Sequence, residues 1–541
     1  MFRPNALYYS DGYKIGHQAM AAPGTDYLYG TWIPRGVKYA GPGIEKIVSF
    51  GQALTWRWVH DEFTENFFKQ SKGVALKFVE DMNLYLGLEY DGTHYSELHD
   101  VGYLPVKVKA LPEGIETLPN VPHMTFVNTK KGFAWLTLYL ETIVSSLAWK
   151  PSNSATIALQ YRRNVVDWVM KTDPSNSFLI DFMLHDFSAR GLSPWDMLSS
   201  GLGHATSFRG SDTLIVIPAA RYFYAEPEDE VCINSVKASE HSVSTTRIFS
   251  ILQKLKDGGG EDIIKQYEDF DGSDEAERTD LYLREIAECQ FFREMCMENP
   301  DGILSLVSDT FDLWIVVTKF LPRLKALIMS RNGKVVIRPD SGDPVDITTG
   351  YNSLSDYEIA EMKGPVLTDH PSYRGVIELL WDIFGGTVNE QGYKVLDSHI
   401  GSIYGDSINL ERQIAIYSRL ANKMFASTNI VLGIGSFTYQ MNTRDTLGWA
   451  AKGAWFEIDG RGYDIFKDPA TDDGSKRSLK GRIAVMMEAG EYVAKQGCTA
   501  EEEELGYLQP IYNNGRFYNM PSLTEVRDRI LLLSAPVTET A

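Results

Sequence analysis

Four cysteines in 541 residues are too few and too scattered for a disulfide framework or a CxxC-type metal site. Cys232, Cys289, Cys296 and Cys498 are read as reduced, buried thiols. No uninterrupted apolar run reaches the ~18 residues needed to cross a bilayer. The opening MFRPNALYYSDGYK also lacks the basic and apolar regions of a secretion signal. A soluble cytoplasmic protein with no membrane partner is expected. Positive charge is scarce too: 52 Lys and Arg against 72 Asp and Glu give a net charge of −20. Such a surface repels polyanions and argues against a nucleic-acid partner. An anionic ligand must then be caught by a local cluster of cations. Repeats and low-complexity tracts are missing apart from a three-glycine run at Gly258, which excludes solenoids and disordered arrays.

What is present is ordinary globular material, 44% apolar, 12% aromatic and 23% charged, in a chain too long for one core. Two or three lobes are expected. The first hundred residues mix aromatic-rich strands with a helical run from about Ile44 to Leu86. FAWLTLYLETIVSSLAWK has apolar residues at helical spacing, and Pro151 is expected to end it because proline has no amide proton to give. Ser152, Asn153 and Ser154 then offer caps for a second helix, TIALQYRRNVVDWVMK. Further on, FLIDF, TLIVI, ILSLVS, KVVIR and NIVLGIG read as buried parallel strands. TFDLWIVVTKFLPRLKALIM and SINLERQIAIYSRLAN read as helices between them, so the middle of the chain predicts βα units closing into a barrel. The acidic stretch from Glu261 to Glu277 reads as a solvated excursion, and neither it nor the acidic run near Glu501 has a role legible in the sequence.

Barrels carry their chemistry at the carboxyl ends of the strands. There the sequence repeats charged or glycine-bearing turns: HDFSARG, SDT, RPDSGDP, YGDS and GIGSF. Arg338 and Asp340 are alternate residues near a strand end and can face one ligand. The glycines of GIGSF allow backbone amides to approach a phosphate, although such glycines also serve backbone geometry alone. His241, in the hydroxyl-rich KASEHSVSTTR, suits a nucleophile toward phosphorus, tuned by Glu240 or another carboxylate.

These segments, with DGYKIGH, SFGQAL, LETIVSSLAWKPSNSAT, FRGSDT, ASEHS, SLVSDTFD, TRDT, FKDP and KRSLKGR, occur in an order that resembles the nicotinamide phosphoribosyltransferases of the type II phosphoribosyltransferase family. The likeness runs from about Asp11 to Arg482. It implies an α/β fold: an irregular βα barrel over 151–450, with an additional α+β domain built from 1–150 and 451–541. It implies phosphoribosyl transfer from phosphoribosyl pyrophosphate to nicotinamide, with Mg2+, in a homodimer whose two active sites are shared. ATP enters as co-substrate through a phosphohistidine, which His241 matches. Phe187 and, from the partner subunit, Tyr13 would sandwich the pyridine ring, with Asp11 of the same motif nearby. Asp212 would accept a hydrogen bond from the carboxamide, with Arg338 and Ser305 lining the pocket. Asp340, Gly405 and Asp406 would bind ribose hydroxyls, and Gly435, Ser436, Arg444 and Lys452 the 5′-phosphate. Arg190, Arg35, Lys467 and Lys476 would bind pyrophosphate or ATP phosphates, while the metal ligands stay unassigned. In GIGSF, Ser436 and Phe437 replace small residues of the family pattern. Nicotinate as the substrate, or a non-catalytic binding protein on the same scaffold, are the alternatives.

Overall fold

The computed structural model describes residues 3–270, 280–355, 367–471 and 477–535. Two seven-stranded sheets organise it. The first is antiparallel and joins both ends of the chain. Its strands run, in spatial order, Arg461–Asp464, Ala450–Ile458, Thr25–Ile33, Met124–Asn128, Val106–Ala110, Gln509–Asn513 and Arg516–Phe517. Helices Gln52–Phe63, Lys72–Leu86, Thr93–Val101 and Ala134–Tyr139 pack against it around Trp32, Trp56, Tyr95 and Phe126. The acidic run near Glu501 finds its place here. Thr499 caps the short helix Ala500–Glu504, whose Glu503 and Glu504 pair at 3.0 and 2.9 Å with the buried Lys109 of this sheet.

The second sheet is wholly parallel. Its order is Gly210–Ser211, Leu184–Asp186, Ile430–Ile434, Ile400–Tyr404, Val335–Arg338, Leu304–Val307 and Lys237–Ala238. Gly210 at one edge also bridges to Asn234, just before the strand at the other edge, so the sheet curls round on itself. Neighbours in space are neighbours in sequence, as βα units require, except where the last strand, Ile430–Ile434, pairs with the first, Leu184–Asp186. In VVIR, Val335 and Ile337 are fully buried in the outer core with Leu306, Ile400 and Leu432. Each such side chain contributes roughly 1.5–3 kcal/mol of burial. The alternation leaves Arg338 on the opposite face, at the strand's carboxyl end.

Three sequence expectations need correction. FLIDF is not a strand: Pro174–Phe182 winds as 3-10 helix, and the strand begins only at Leu184. TLIVI is a turn leading into the helix Val216–Tyr224. Buried Val216, Ala219, Ala220 and Phe223 repeat there at helical spacing, and that packing outweighs the β-branched run. Pro151 does not end a helix but lies inside one, Glu141–Thr172. Gly51 makes room for its ring, since a Cβ on that glycine would stand 2.5 Å from Pro151 Cβ. The expected caps do other work: Asn153 donates to the Thr443 carbonyl and accepts from Trp449, and Ser154 donates to Ser200. These buried contacts offset the hydrogen bond that proline costs. The Glu261 excursion is also less solvated than expected, for Ile263, Ile264, Tyr267 and Phe270 enter the core; the remainder of that stretch, 271–277, lies outside the described residues.

Candidate active site at the barrel rim

The strand-end turns deliver two groups of side chains. The first lies on the barrel. The amide of Phe187, immediately after the strand Leu184–Asp186, donates to the Ile434 carbonyl and so fixes the ring over the barrel mouth. Gly433 leaves that ring its space, since a Cβ there would stand 2.8 Å from it. The Arg338 guanidinium sits 5.6 Å from the ring centroid, and Nη1 donates to the Ser239 carbonyl at 3.2 Å. Ser305 is buried one layer lower, its carbonyl accepting from the Ser239 amide. Asp212 lies beside this pocket, bonded to His185 Nε2 at 3.1 Å and to the Ser235 hydroxyl. Burial pushes the Asp212 carboxyl up, but those two hydrogen bonds and the charge of Arg338 overcome it, so the net displacement is downward. At neutral pH it is a carboxylate.

Deeper along the rim, His241 begins the helix His241–Lys256 and is 47% exposed. Its Nε2 lies 3.8 Å from Asp309 and 3.7 Å from Asp340. Asp309 is held by the Asp340 amide at 2.9 Å and the Ser341 hydroxyl at 2.5 Å, both on Oδ2. Its Oδ1 makes no hydrogen bond among the described residues, and neither do Arg338 Nε and Ser188 Oγ, all three buried. Buried polar atoms left unpaired cost about 1–3 kcal/mol each, so these three can form a hydrogen bond with water or a ligand. Gly405 abuts Asp340, Asp406 is exposed beside it, and Gly435 opens the turn Ser436–Gln440 within reach of Asp406. Arg190, on the turn Ala189–Gly191, is exposed at the same edge.

The second group lies on the antiparallel sheet. Arg35 Nε donates to the Gly448 carbonyl, and Arg444 precedes that turn with its side chain open to solvent. Lys452, on Ala450–Ile458, has its ammonium pushed down by burial, with Glu141 opposing and Arg35, Lys14 and Lys467 adding their repulsion. Lys14 and Lys452 thus share one carboxylate, Glu141, at 2.6 and 3.8 Å. Tyr13 is 67% exposed on the turn Gly12–Gly16, and Asp11 accepts from Thr142 at 2.6 Å. Lys476 lies outside the described residues. Among the described residues no hydrogen bond or ion pair links side chains of the two groups.

Sequence reasoning left several members out. Asp309 stood in view in SDTFD, and its strand-end place was the signal, but only the fold turns it rather than Glu240 toward His241. His185, Ser188, Ser235 and Ser239 act through tertiary contacts that no spacing announces.

Glu288, 3% exposed on the helix Asp280–Glu298, lies behind the Thr310–Asp312 turn. Burial pushes its carboxyl up to about 8, with Asp312, Glu285 and Asp309 adding and Arg284 opposing. Folded protein thus keeps a proton that the unfolded chain has lost, and the stability this gives at low pH is lost as pH rises toward 8. Glu288→Gln is expected to flatten the fall in stability between about pH 6 and pH 9 by on the order of 2 kcal/mol. Urea midpoints across that range measure it, and parallel curves for the two proteins would refute it.

Taken together, a curled parallel sheet with cations, carboxylates and unpaired polar atoms at its carboxyl ends defines an α/β-barrel enzyme for a small anionic substrate. The model of the nicotinate phosphoribosyltransferase (NAPRTase) family matches residues 182–516. The nicotinamide phosphoribosyltransferase of Acinetobacter baylyi is 38% identical, over 98% of this chain and 97% of its own. That of Xanthomonas campestris pv. campestris is 28% identical, over 97% of each. Human nicotinic acid phosphoribosyltransferase shares the fold at a TM-score of 0.55 and 15% identity, covering 97% of this chain and 93% of its own. The chain belongs to the nicotinate phosphoribosyltransferase family. Among the described residues no helix is long and apolar enough to cross a membrane, and all four cysteines are free and buried.

Proposed function

We propose that this protein performs phosphoribosyl transfer in NAD salvage with nicotinamide as the acceptor, giving nicotinamide mononucleotide and pyrophosphate. Kinship to proteins named nicotinamide phosphoribosyltransferase supports the reaction class. One observation carries the choice of substrate: Asp212, ionised and still 43% exposed at its side chain, beside Phe187 and Arg338. A carboxylate accepts the amide N–H of nicotinamide and repels the acid group of nicotinate.

In this reading the pyridine nitrogen, stacked on Phe187, bonds to C1 of the ribose as the C1–oxygen bond to pyrophosphate breaks. Both electrons of that bond leave with the pyrophosphate. The chain supplies no nucleophile to carbon; it positions the ring and neutralises the leaving charge through Arg338 and Arg190. Asp340, Gly405 and Asp406 face the ribose, and Gly435 and Ser436 its 5′-phosphate. Tyr13, Asp11, Arg35, Arg444, Lys452, Lys467 and Lys476 would serve the site of a partner subunit. The division into two groups of cations and rings supports a homodimer with 151–450 as the barrel half of each site and 1–150 with 451–541 as the other half. Among the described residues no three His, Cys, Asp or Glu side chains converge into a metal cage. Mg2+ would ride on the pyrophosphate oxygens, its usual habit with phosphates. ATP coupling through His241 belongs to the same reading, supported by its half-exposed imidazole at the first turn of the helix His241–Lys256.

The test is product analysis by mass spectrometry with phosphoribosyl pyrophosphate and Mg2+, offering nicotinamide and nicotinate in turn. Nicotinamide mononucleotide is expected. Asp212→Asn should narrow the preference for nicotinamide over nicotinate by about 10-fold or more, the worth of one charged hydrogen bond. An unchanged preference would remove Asp212 from the argument, and no pyrophosphate release with either base would favour a binding protein.

A further inference from the structure

We propose that Glu141 is a positioning residue whose single carboxylate fixes the ring-stacking turn of Tyr13 and the phosphate-binding Lys452 relative to one another. The proposal rests on the reading of Tyr13 and Lys452 given above. Tyr13 is exposed on a five-residue 3-10 turn and has no core of its own to hold it. Its anchors come from neighbouring residues and converge on one place. Lys14, 4% exposed, donates from Nζ to Glu141 Oε2 at 2.6 Å and to the Leu138 carbonyl at 3.0 Å. Asp11 accepts from the Thr142 hydroxyl, Ser10 donates to the Tyr139 carbonyl, and Tyr139 donates to the Leu7 carbonyl. All of these partners lie at the junction of helices Ala134–Tyr139 and Glu141–Thr172.

The second oxygen of Glu141 looks the other way. Oε1 lies 3.8 Å from Lys452 Nζ, on the strand paired with Thr25–Ile33. The charges of Arg35 and Lys467 also act on Lys452. Without the carboxylate, Lys14 and Lys452 become like charges facing each other in a half-buried place, and each is driven outward. The pyridine platform and the phosphate clamp would then lose their mutual spacing at once.

Steady-state kinetics on the full-length protein test this. Glu141→Gln keeps the shape and removes the charge. It is expected to raise KM for nicotinamide and for phosphoribosyl pyrophosphate together, each about 10-fold, with kcat within about threefold. Glu141→Asp, which restores the charge on a shorter stem, should recover part of both. Lys14→Met cuts only the Tyr13 branch and should raise the nicotinamide KM alone. Should Glu141→Gln prove too unstable to assay, Glu141→Asp and Lys14→Met still carry the comparison. A Glu141→Gln protein of normal melting temperature whose two KM values stay unchanged, or move singly, overturns the proposal. Tyr13→Ala and Lys452→Ala separate this from failure of the functional reading. If they raise the nicotinamide and the phosphoribosyl pyrophosphate KM respectively while Glu141→Gln raises neither, only the positioning role falls; if neither substitution alters its KM, both fall.

Discussion

His241→Ala is expected to abolish the ATP-coupled part of turnover, lowering ATP hydrolysis by about 10^3-fold, while synthesis without ATP stays measurable. The imidazole is half-exposed, so a γ-phosphate can reach it, and it begins a sixteen-residue helix. A phosphoryl group placed on the first residue of that helix meets the positive end of its dipole and the free amides of its first turn. Asp309 and Asp340 act against it: two carboxylates beside Nε2 repel a phosphorylated ring. Phosphorylation would therefore strain this cluster, and Asp340, the proposed ribose ligand, is the more exposed of the two carboxylates. Phosphate release and mononucleotide formation measured with and without ATP decide the matter. Unchanged ATP-stimulated turnover in His241→Ala would remove the phosphohistidine from the mechanism.

The same cluster explains what was legible beforehand. The strands at Leu304, Val335 and Ile430 could be read because each is a short apolar run cut off by charge or glycine. Arg338 and Asp340 followed from their alternation at a strand end. FLIDF and TLIVI carry the same composition and became helical, because composition alone does not tell a buried strand from a buried helical turn. For the second, the spacing of Val216, Ala219, Ala220 and Phe223 held the answer. Pro151 misled for a different reason: the compensation comes from Gly51, a hundred residues earlier in the chain. The site was legible wherever a residue's own type states its chemistry. It was hidden wherever the chemistry belongs to a pair, as with Asp309 and His241 or Glu141 and Lys14, since pairing across the fold leaves no trace in spacing.

Gly405→Ala should lower kcat/KM for phosphoribosyl pyrophosphate by about 10^2-fold without unfolding the protein, because a misplacement near 1 Å at reacting groups costs that much. Gly405 does not have a positive φ, so alanine meets no backbone strain there. What it meets is the site. A Cβ would overlap Asp340 Oδ1 and stand 3.4 Å from Arg338 Nε. Asp340 must then turn away, which alters its 3.7 Å approach to His241 and withdraws it from the ribose together. The backbone amide of Asp340 still holds Asp309, so the loop itself has no reason to melt. Gly453→Ala serves as the control: its nearest neighbours, Ile465 and Leu28, would lie at 3.5 and 3.6 Å, ordinary contact. Its kcat/KM should stay within about threefold of the parent. Melting temperatures within a few degrees of the parent for both proteins, with activity lost only in Gly405→Ala, locate the effect in the carboxylate. Full activity in Gly405→Ala would mean that Asp340 can leave its position at no cost, and the ribose would need another partner.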